Sequence, residues 1–212
     1  METILDYIEY LQERYVSILE YSYEHLLISF LAIMFGILLT VPAAILLTRV
    51  KNDLFNSTVF NIVNVFQTIP TIALLAIMIP FFGIGLQPAV IALFLYSLLP
   101  LLRNTYAGIK SVDPGIIESA KGMGFGQAKQ LFTIEIPLAL PYIMSGIKTT
   151  TVYIISWTTL AAVIGAGGLG DLILGGIGLN DKFMIFTGTF IAIILALSMD
   201  LIFGKVEKKL TR

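Results

Sequence analysis

Glu118, Ser119 and Ala120 stand just ahead of Gly122, Gly124 and Gly126, and two prolines, Pro137 and Pro141, close the segment. These residue types do not make or break bonds; they build a short glycine-ended helix, which is either an ordinary connecting loop with two helical turns or an element that docks on a partner. Asp113 followed by Pro114 is a good helix start, an N-cap with proline at the first helical position. Ile116, Ile117 and Ala120 supply a short apolar face, and the glycines are expected to break the helix after about two turns. A second short helix over 127–135 is expected to stop before Pro137. A short helix ended by glycine offers small side chains and a rigid end to a partner's groove. It can pass a push between subunits without a covalent link.

Bond-making chemistry finds little support. There is no cysteine, so no disulfide, catalytic thiol or cysteine metal site is available. His25 is the only histidine, which excludes a Ser/His/Asp set, and no metal constellation is visible. No Gly-x-x-x-x-Gly-Lys-Ser/Thr loop occurs, so the chain does not hold ATP in that manner. No basic tract points to nucleic acid.

Polar side chains within apolar surroundings are the other chemical signal. Ser57, Asn61, Asn64, Thr68 and Thr71 recur at i, i+4, i+7, i+11 and i+14, one helical face. Thr149, Tyr153 and Ser156 share a second face, with Trp157 beside them. Unpaired polar groups in hydrocarbon are expensive, so both faces should meet protein or water. Two readings stay open: inter-helix hydrogen bonding with close packing, or the lining of a solute pathway. His25 reads as a boundary residue, Lys148 as a cation snorkelling to the interface, and Asp200 as a partner for Lys205.

The elements that must position these residues are membrane spans. The chain has 212 residues and is 57% hydrophobic, with a mean hydropathy of +0.91. Charged residues make up 13% and are unevenly spread: 26–48, 54–102 and 149–170 carry none. A span needs about 20 mostly apolar residues, so the fold class is an all-α integral membrane protein. Five spans fit, near 25–49, 57–79, 87–109, 138–164 and 183–204. A loop over 110–137 holds the docking element, and a tail occupies 205–212. Pro42, Pro70 and Pro100 fall inside spans, where neighbouring helices can re-satisfy freed carbonyls.

Lys and Arg in the short loops set the orientation. Arg49, Lys51, Arg103, Lys110, Lys121, Lys129, Lys205, Lys208, Lys209 and Arg212 fall on one side, against Arg14 and Lys182 on the other. That places the N-terminus outside, and the 110–137 loop and the tail in the cytoplasm.

Residues 1–24 lack a basic start and carry six acidic residues, unlike a signal peptide. Ile4, Ile8, Leu11, Tyr15 and Ile18 form the stripe of an amphipathic interfacial helix. Residues 165–180 contain seven glycines and read as a re-entrant or surface loop at the outer mouth. Asp171 and Asp181 there are candidate docking charges, with a flexible connector as the plainer reading.

The order Glu118-Ser119-Ala120, Gly124, Ile136-Pro137, Leu140-Pro141 resembles the cytoplasmic coupling loop of permease subunits in bacterial binding-protein-dependent ABC importers. That family's usual Glu-Ala-Ala is Glu-Ser-Ala here, a small-for-small change. The resemblance covers about 26–204. Ile69-Pro70-Thr71, Leu95 through Tyr106 and Gly108 through Pro114 are similar to the osmoprotectant branch (glycine betaine, carnitine, choline). The Ile164–Asp171 glycine block is shared with methionine importers.

The resemblance implies a five-span type I importer permease that is not itself an enzyme and has no cofactor of its own. It implies a location in the bacterial cytoplasmic membrane and alternating access. The expected partners are a cytoplasmic ATPase carrying ATP-Mg, an extracytoplasmic binding protein, a second or related permease chain, and the lipid bilayer. It assigns Glu118, Ser119, Ala120, Gly122 and Gly124 to ATPase contact, and Asp113, Pro114, Pro137 and Pro141 to loop geometry. An importer of methionine or another small zwitterion, and an ion-coupled secondary carrier, stand as alternatives.

Overall fold

A computed structural model describes residues 2–210, with side chains from Ile4 onward; Met1, at the start of the expected interfacial helix, and Thr211 and Arg212, at the end of the expected tail, lie outside the described residues. Those residues are almost wholly helical, without a strand. Four helices are long and apolar enough to cross a bilayer, and five spans result if one bent pair counts as a span.

The first helix, α1 (Glu2–Leu47), has 46 residues, about 69 Å at the α-helical rise against a hydrocarbon core of about 30 Å. The expected break near residue 24 is absent. Tyr21 to His25 contain neither glycine nor proline to end a helix, so the interfacial segment is a continuation of span 1. The face that packs also differs from the expected stripe. Ile4, Ile8 and Tyr15 are exposed at 65%, 45% and 60%. Leu11 and Ile18 of that stripe do pack, with Tyr10 and Tyr21, against Leu169 and Leu172. Tyr7 shares a hydrogen bond with Thr187 Oγ1 at 3.0 Å, and the Tyr7 and Tyr10 rings lie on Phe183.

Span 2 is not a single helix. The helices α2 (Asp53–Thr68) and α3 (Thr71–Phe82) meet at 99°. Pro70 has no N–H to give and drives Ile69 out of the helical region, to φ −77° and ψ 129°. The carbonyl freed by the break is satisfied: Tyr96 donates its hydroxyl to Ile69 O. Gln67 Nε2 donates to Tyr96 O at 2.6 Å. The polar stripe therefore ends at Thr68, and Thr71 belongs to another helix.

The central helix α4 (Leu86–Lys110) packs against α1 and against α7 (Ile136–Thr158). Apolar area cannot drive this association within lipid, so close approach at small residues does. A Cβ on Gly36 would fall 2.3 Å from Ser97 Oγ, and one on Gly146 would fall 2.5 Å from Asn104 Cβ.

Between α4 and α7 lie α5 (Pro114–Gly122), α6 (Gln127–Gln130) and a π-helical turn, Leu131–Glu135. After α7, a 3₁₀ turn (Thr159–Ile164) leads to α8 (Leu169–Leu179) and α9 (Lys182–Leu210). The expected outer loop over 165–180 is thus largely the helix α8. The expected tail continues α9 as far as Leu210.

Candidate coupling site and membrane pathway

Local chemistry shapes α5 at both ends. Asp113 Oδ1 accepts the N–H of Gly115 at 2.6 Å, with Pro114 at the first helical position. At the other end Phe125 N–H reaches Ala120 O at 3.0 Å and Gly124 N–H reaches Lys121 O at 2.9 Å. This is a Schellman closure with Gly124 as its left-handed residue, at φ +80°. Only glycine takes that conformation without strain.

Glu118, Ser119, Gly122 and Gly124 are exposed, and Ser119 Oγ donates back to Gly115 O at 2.8 Å. Ala120 is fully buried. It seats α5 against the body, which corrects the expectation that it meets a partner. The exposed apolar side chains of this region are Ile116, Met123 and Phe132, at 45%, 68% and 69%.

Pro137 and Pro141 set no turn into span 4, contrary to expectation. The chain runs helically from Gln127 into α7, and the Leu131–Glu135 turn widens so that Ile136 N–H bonds Leu131 O. The wider register precedes Pro137, which lacks an N–H for an ordinary helical bond.

That turn also carries a buried charge. Glu135 is 1% exposed. Its Oε2 accepts from Arg49 Nη2 at 2.6 Å, and its Oε1 accepts from Gln130 Nε2 at 3.0 Å. Arg49 and Glu135 line a groove of about 470 Å³ with Lys110, Ile117, Glu118 and Lys121. Sequence reasoning missed this pair. The available signal was a carboxylate placed directly before a span-opening Ile-Pro, where a charge needs a partner.

Among the expected pathway residues, Asn61, Thr68, Thr149, Tyr153 and Ser156 are exposed, and Asn64, Thr71 and Trp157 are half-buried. The hydroxyls of Thr68 and Ser156 are turned onto their own helices, to Val65 O and Val152 O. Trp157 stacks on Tyr153 with centroids 5.8 Å apart and meets Tyr96 at 4.9 Å. Tyr96 thereby joins the α7 face to the break between α2 and α3. Neither Tyr96 nor Gln67 was singled out from the sequence.

At the opposite end of the spans, His25 is fully buried rather than a boundary residue. Its Nε2 lies 2.9 Å from Ile155 O, and Ser29 bridges His25 O and Thr158 Oγ1. Glu24 accepts the N–H of Gly168 at 2.8 Å. Asp171 is half-buried on α8. Burial, and then the neighbouring Glu24 charge, push its carboxyl above the ordinary aspartate range. Asp181 caps α9, accepting from Phe183 N at 2.9 Å and Met184 N at 3.2 Å. Asp200 lies 3.2 Å from Lys148 Nζ, so Lys148 takes the place expected for Lys205. Among the described residues no group of three or more His, Cys, Asp or Glu side chains could hold a metal ion.

Comparison with known proteins adds four findings. Residues 26–212 match the family described as the inner membrane component of binding-protein-dependent transport systems. The chain is 45% identical over 204 residues to the choline transport system permease protein OpuBB of Bacillus subtilis, covering 96% of this chain and 93% of the relative. It is 47% identical over 188 residues to the glycine betaine/carnitine/choline permease protein OpuCB of the same organism, covering 89% and 86%. Its fold is similar to that of the MetNI methionine ABC transporter in an inward-facing conformation, with TM-score 0.81 and 26% identity over 92% of this chain and 96% of that one.

Proposed function

The chain belongs to the family of inner membrane components of binding-protein-dependent transport systems, and from that premise we propose that it carries quaternary-ammonium osmoprotectants of the choline, carnitine and glycine betaine class. It is a multi-pass permease subunit of an ABC importer and not an enzyme. The observation that carries the solute class is likeness over nearly the whole chain, at 44–47% identity, to permeases named for those three solutes. The methionine transporter shares the fold at 26% identity, which weighs against methionine as the solute.

In the proposed cycle, a partner ATPase binds ATP-Mg and closes on the coupling segment. Glu118, Ser119, Gly122 and the exposed Ile116 and Met123 form the contact surface. Asp113, Pro114 and Gly124 hold the shape of α5. The bias of Lys and Arg puts this surface and the C-terminal end of α9 in the cytoplasm, with the N-terminus outside. Closing of the ATPase brings the coupling helices together and opens the spans toward a loaded binding protein. ATP can shift this equilibrium only by binding one state better than the other. Asn61, Asn64, Thr68, Thr149, Tyr153, Ser156 and Trp157 face the pathway, and the π-faces of Tyr153 and Trp157 suit a cation that cannot donate hydrogen bonds.

Five spans are few to enclose a path, so a second permease chain completes it. In Bacillus subtilis one system name covers two permeases, OpuCB and OpuCD, at 47% and 38% identity to this chain. That favours pairing with a related chain over pairing with a second copy.

Uptake of labelled choline, carnitine and glycine betaine at high salt, with labelled methionine alongside, tests the reading in cells with and without the gene. Loss of the first three alone supports it. Loss of methionine uptake alone moves the solute and keeps the importer. Gly124→Arg should abolish uptake while the protein still inserts, and normal uptake by that variant would remove the coupling role.

A further inference from the structure

Glu135 is a nearly inaccessible carboxylate on a segment whose business is motion. It closes the π-helical turn between α6 and α7, and both of its oxygens are engaged. Arg49, its partner, lies just past the end of α1, 86 residues away in sequence. The Arg49 side chain is 43% exposed while that of Glu135 is 2% exposed. The cost of taking the charge out of water therefore falls mainly on Glu135. Such a pair is no more stabilising than an apolar pair of similar volume, so bulk stability does not explain it. What the pair does accomplish is geometric. The coupling segment is joined directly to α4 and α7, whereas α1 meets it through side chains: Ile37, Val41 and Ile45 share an apolar cluster with Leu131 and Ile136, and the Arg49–Glu135 bond adds the one directional polar tie described between them.

The turn itself supports the same conclusion. A π-helical turn is a local register fault that a helix can gain or lose, and such faults recur at functional sites. Here it sits beside Pro137 and next to the groove lined by Arg49, Glu118 and Lys121. Motion of α5 thus reaches α1 through a hydrogen-bonded pair placed where the helix is able to change register.

We propose that Glu135 is a positioning residue for transport: its bond to Arg49 keys the coupling segment to the end of span 1, so that a displacement of α5 moves α1 together with α7. The inference rests on the importer reading above.

The test uses the whole complex in proteoliposomes: permease chains, ATPase and binding protein, with choline as the solute. The readouts are the stimulation of ATP hydrolysis by choline-loaded binding protein, the choline carried per ATP, and the amount of assembled complex. Glu135→Gln keeps the side-chain size and a hydrogen bond to Gln130, removes the buried charge, and leaves Arg49 able to be solvated. Assembly should equal that of the wild type. Stimulation should fall about tenfold, the equivalent of one charge-assisted hydrogen bond.

Arg49→Gln strands the buried carboxylate and should reduce the amount of complex. The double variant Arg49→Gln/Glu135→Gln should restore the amount but not the stimulation. A purely structural pair would show the reverse, with stimulation per complex unchanged in every variant, and that result overturns the inference. A wild-type complex whose ATP hydrolysis ignores loaded binding protein overturns the importer reading and this inference together.

Discussion

The carboxylate of Glu24 accepts the backbone N–H of Gly168 at 2.8 Å, pinning α1 to the glycine-rich turn that opens α8. The neighbouring glycine makes room for this contact. A Cβ on Gly167 would lie 2.2 Å from Glu24 Oε2, and Gly167 sits at φ +82°. Steric and backbone demands coincide there, whereas at Gly124 only the backbone demand exists, with φ +80° and no atom near a built Cβ.

Gly167→Ala should therefore cost more stability than Gly124→Ala. Backbone strain alone costs about 1–2 kcal/mol, and Gly167→Ala adds a forced displacement of Glu24. Thermal unfolding of the two purified variants in detergent checks the order. Equal losses would mean that the Glu24 contact is not held tightly in solution.

Gly170→Ala should be the more damaging change in the same turn. Its Cβ would stand 2.0 Å from the Thr159 carbonyl oxygen, and backbone cannot step aside as a carboxylate can. Overpacking of this kind costs about 1–3 kcal/mol or more. The expected result is little folded protein in the membrane fraction, and normal yield would show that the 3₁₀ turn and α8 can separate.

Asp171→Asn should stabilise the protein at neutral pH. The folded-state carboxyl has a pKa raised by burial and then by Glu24. Folded protein then holds the proton more tightly than unfolded protein between the ordinary value and the raised one, so stability falls as pH rises through that window. The ionised group above the window is a standing cost that the amide removes. The melting temperature of Asp171→Asn should exceed that of the wild type at pH 7, and the gap should close as pH falls toward 3.8, the ordinary value. A gap independent of pH would assign the effect to packing.

Lys148 and Asp200 join α7 to α9 across 3.2 Å. Lys148→Met and Asp200→Leu should each destabilise alone, because each leaves the other, only partly exposed charge without its partner. The double variant should lose less than the sum, with a coupling of about 0.5–3 kcal/mol. Strict additivity would mean that the two charges are solvated independently.

Much of the coupling segment was legible because its signals are local. Asp113-Pro114 starts α5, and Gly124 ends it through its own backbone geometry. Pro137 was legible as a residue that cannot continue an ordinary helix, yet the outcome was a wider helical turn rather than a stop. At Pro70 the same chemistry produced a 99° break, with the Tyr96 hydroxyl standing where it takes up the Ile69 carbonyl at the break. The proline marks where the ladder must fail, and the neighbours decide how.

The sequence by itself determined that this chain lives in a membrane and where the helix α5 begins and ends, and the order of a few motif residues pointed to its family. The first two properties follow from the length of apolar runs and from the backbone limits of proline and glycine, which act over a few residues. Only the tertiary structure decided which face of α1 packs, that His25 and Ala120 are buried, that Lys148 takes Asp200, and that Arg49 meets Glu135. In lipid the solvent is as apolar as the helix, so a hydrophobic stripe does not reveal which side meets protein. That choice is made by close approach at small residues and by polar partners distant in sequence.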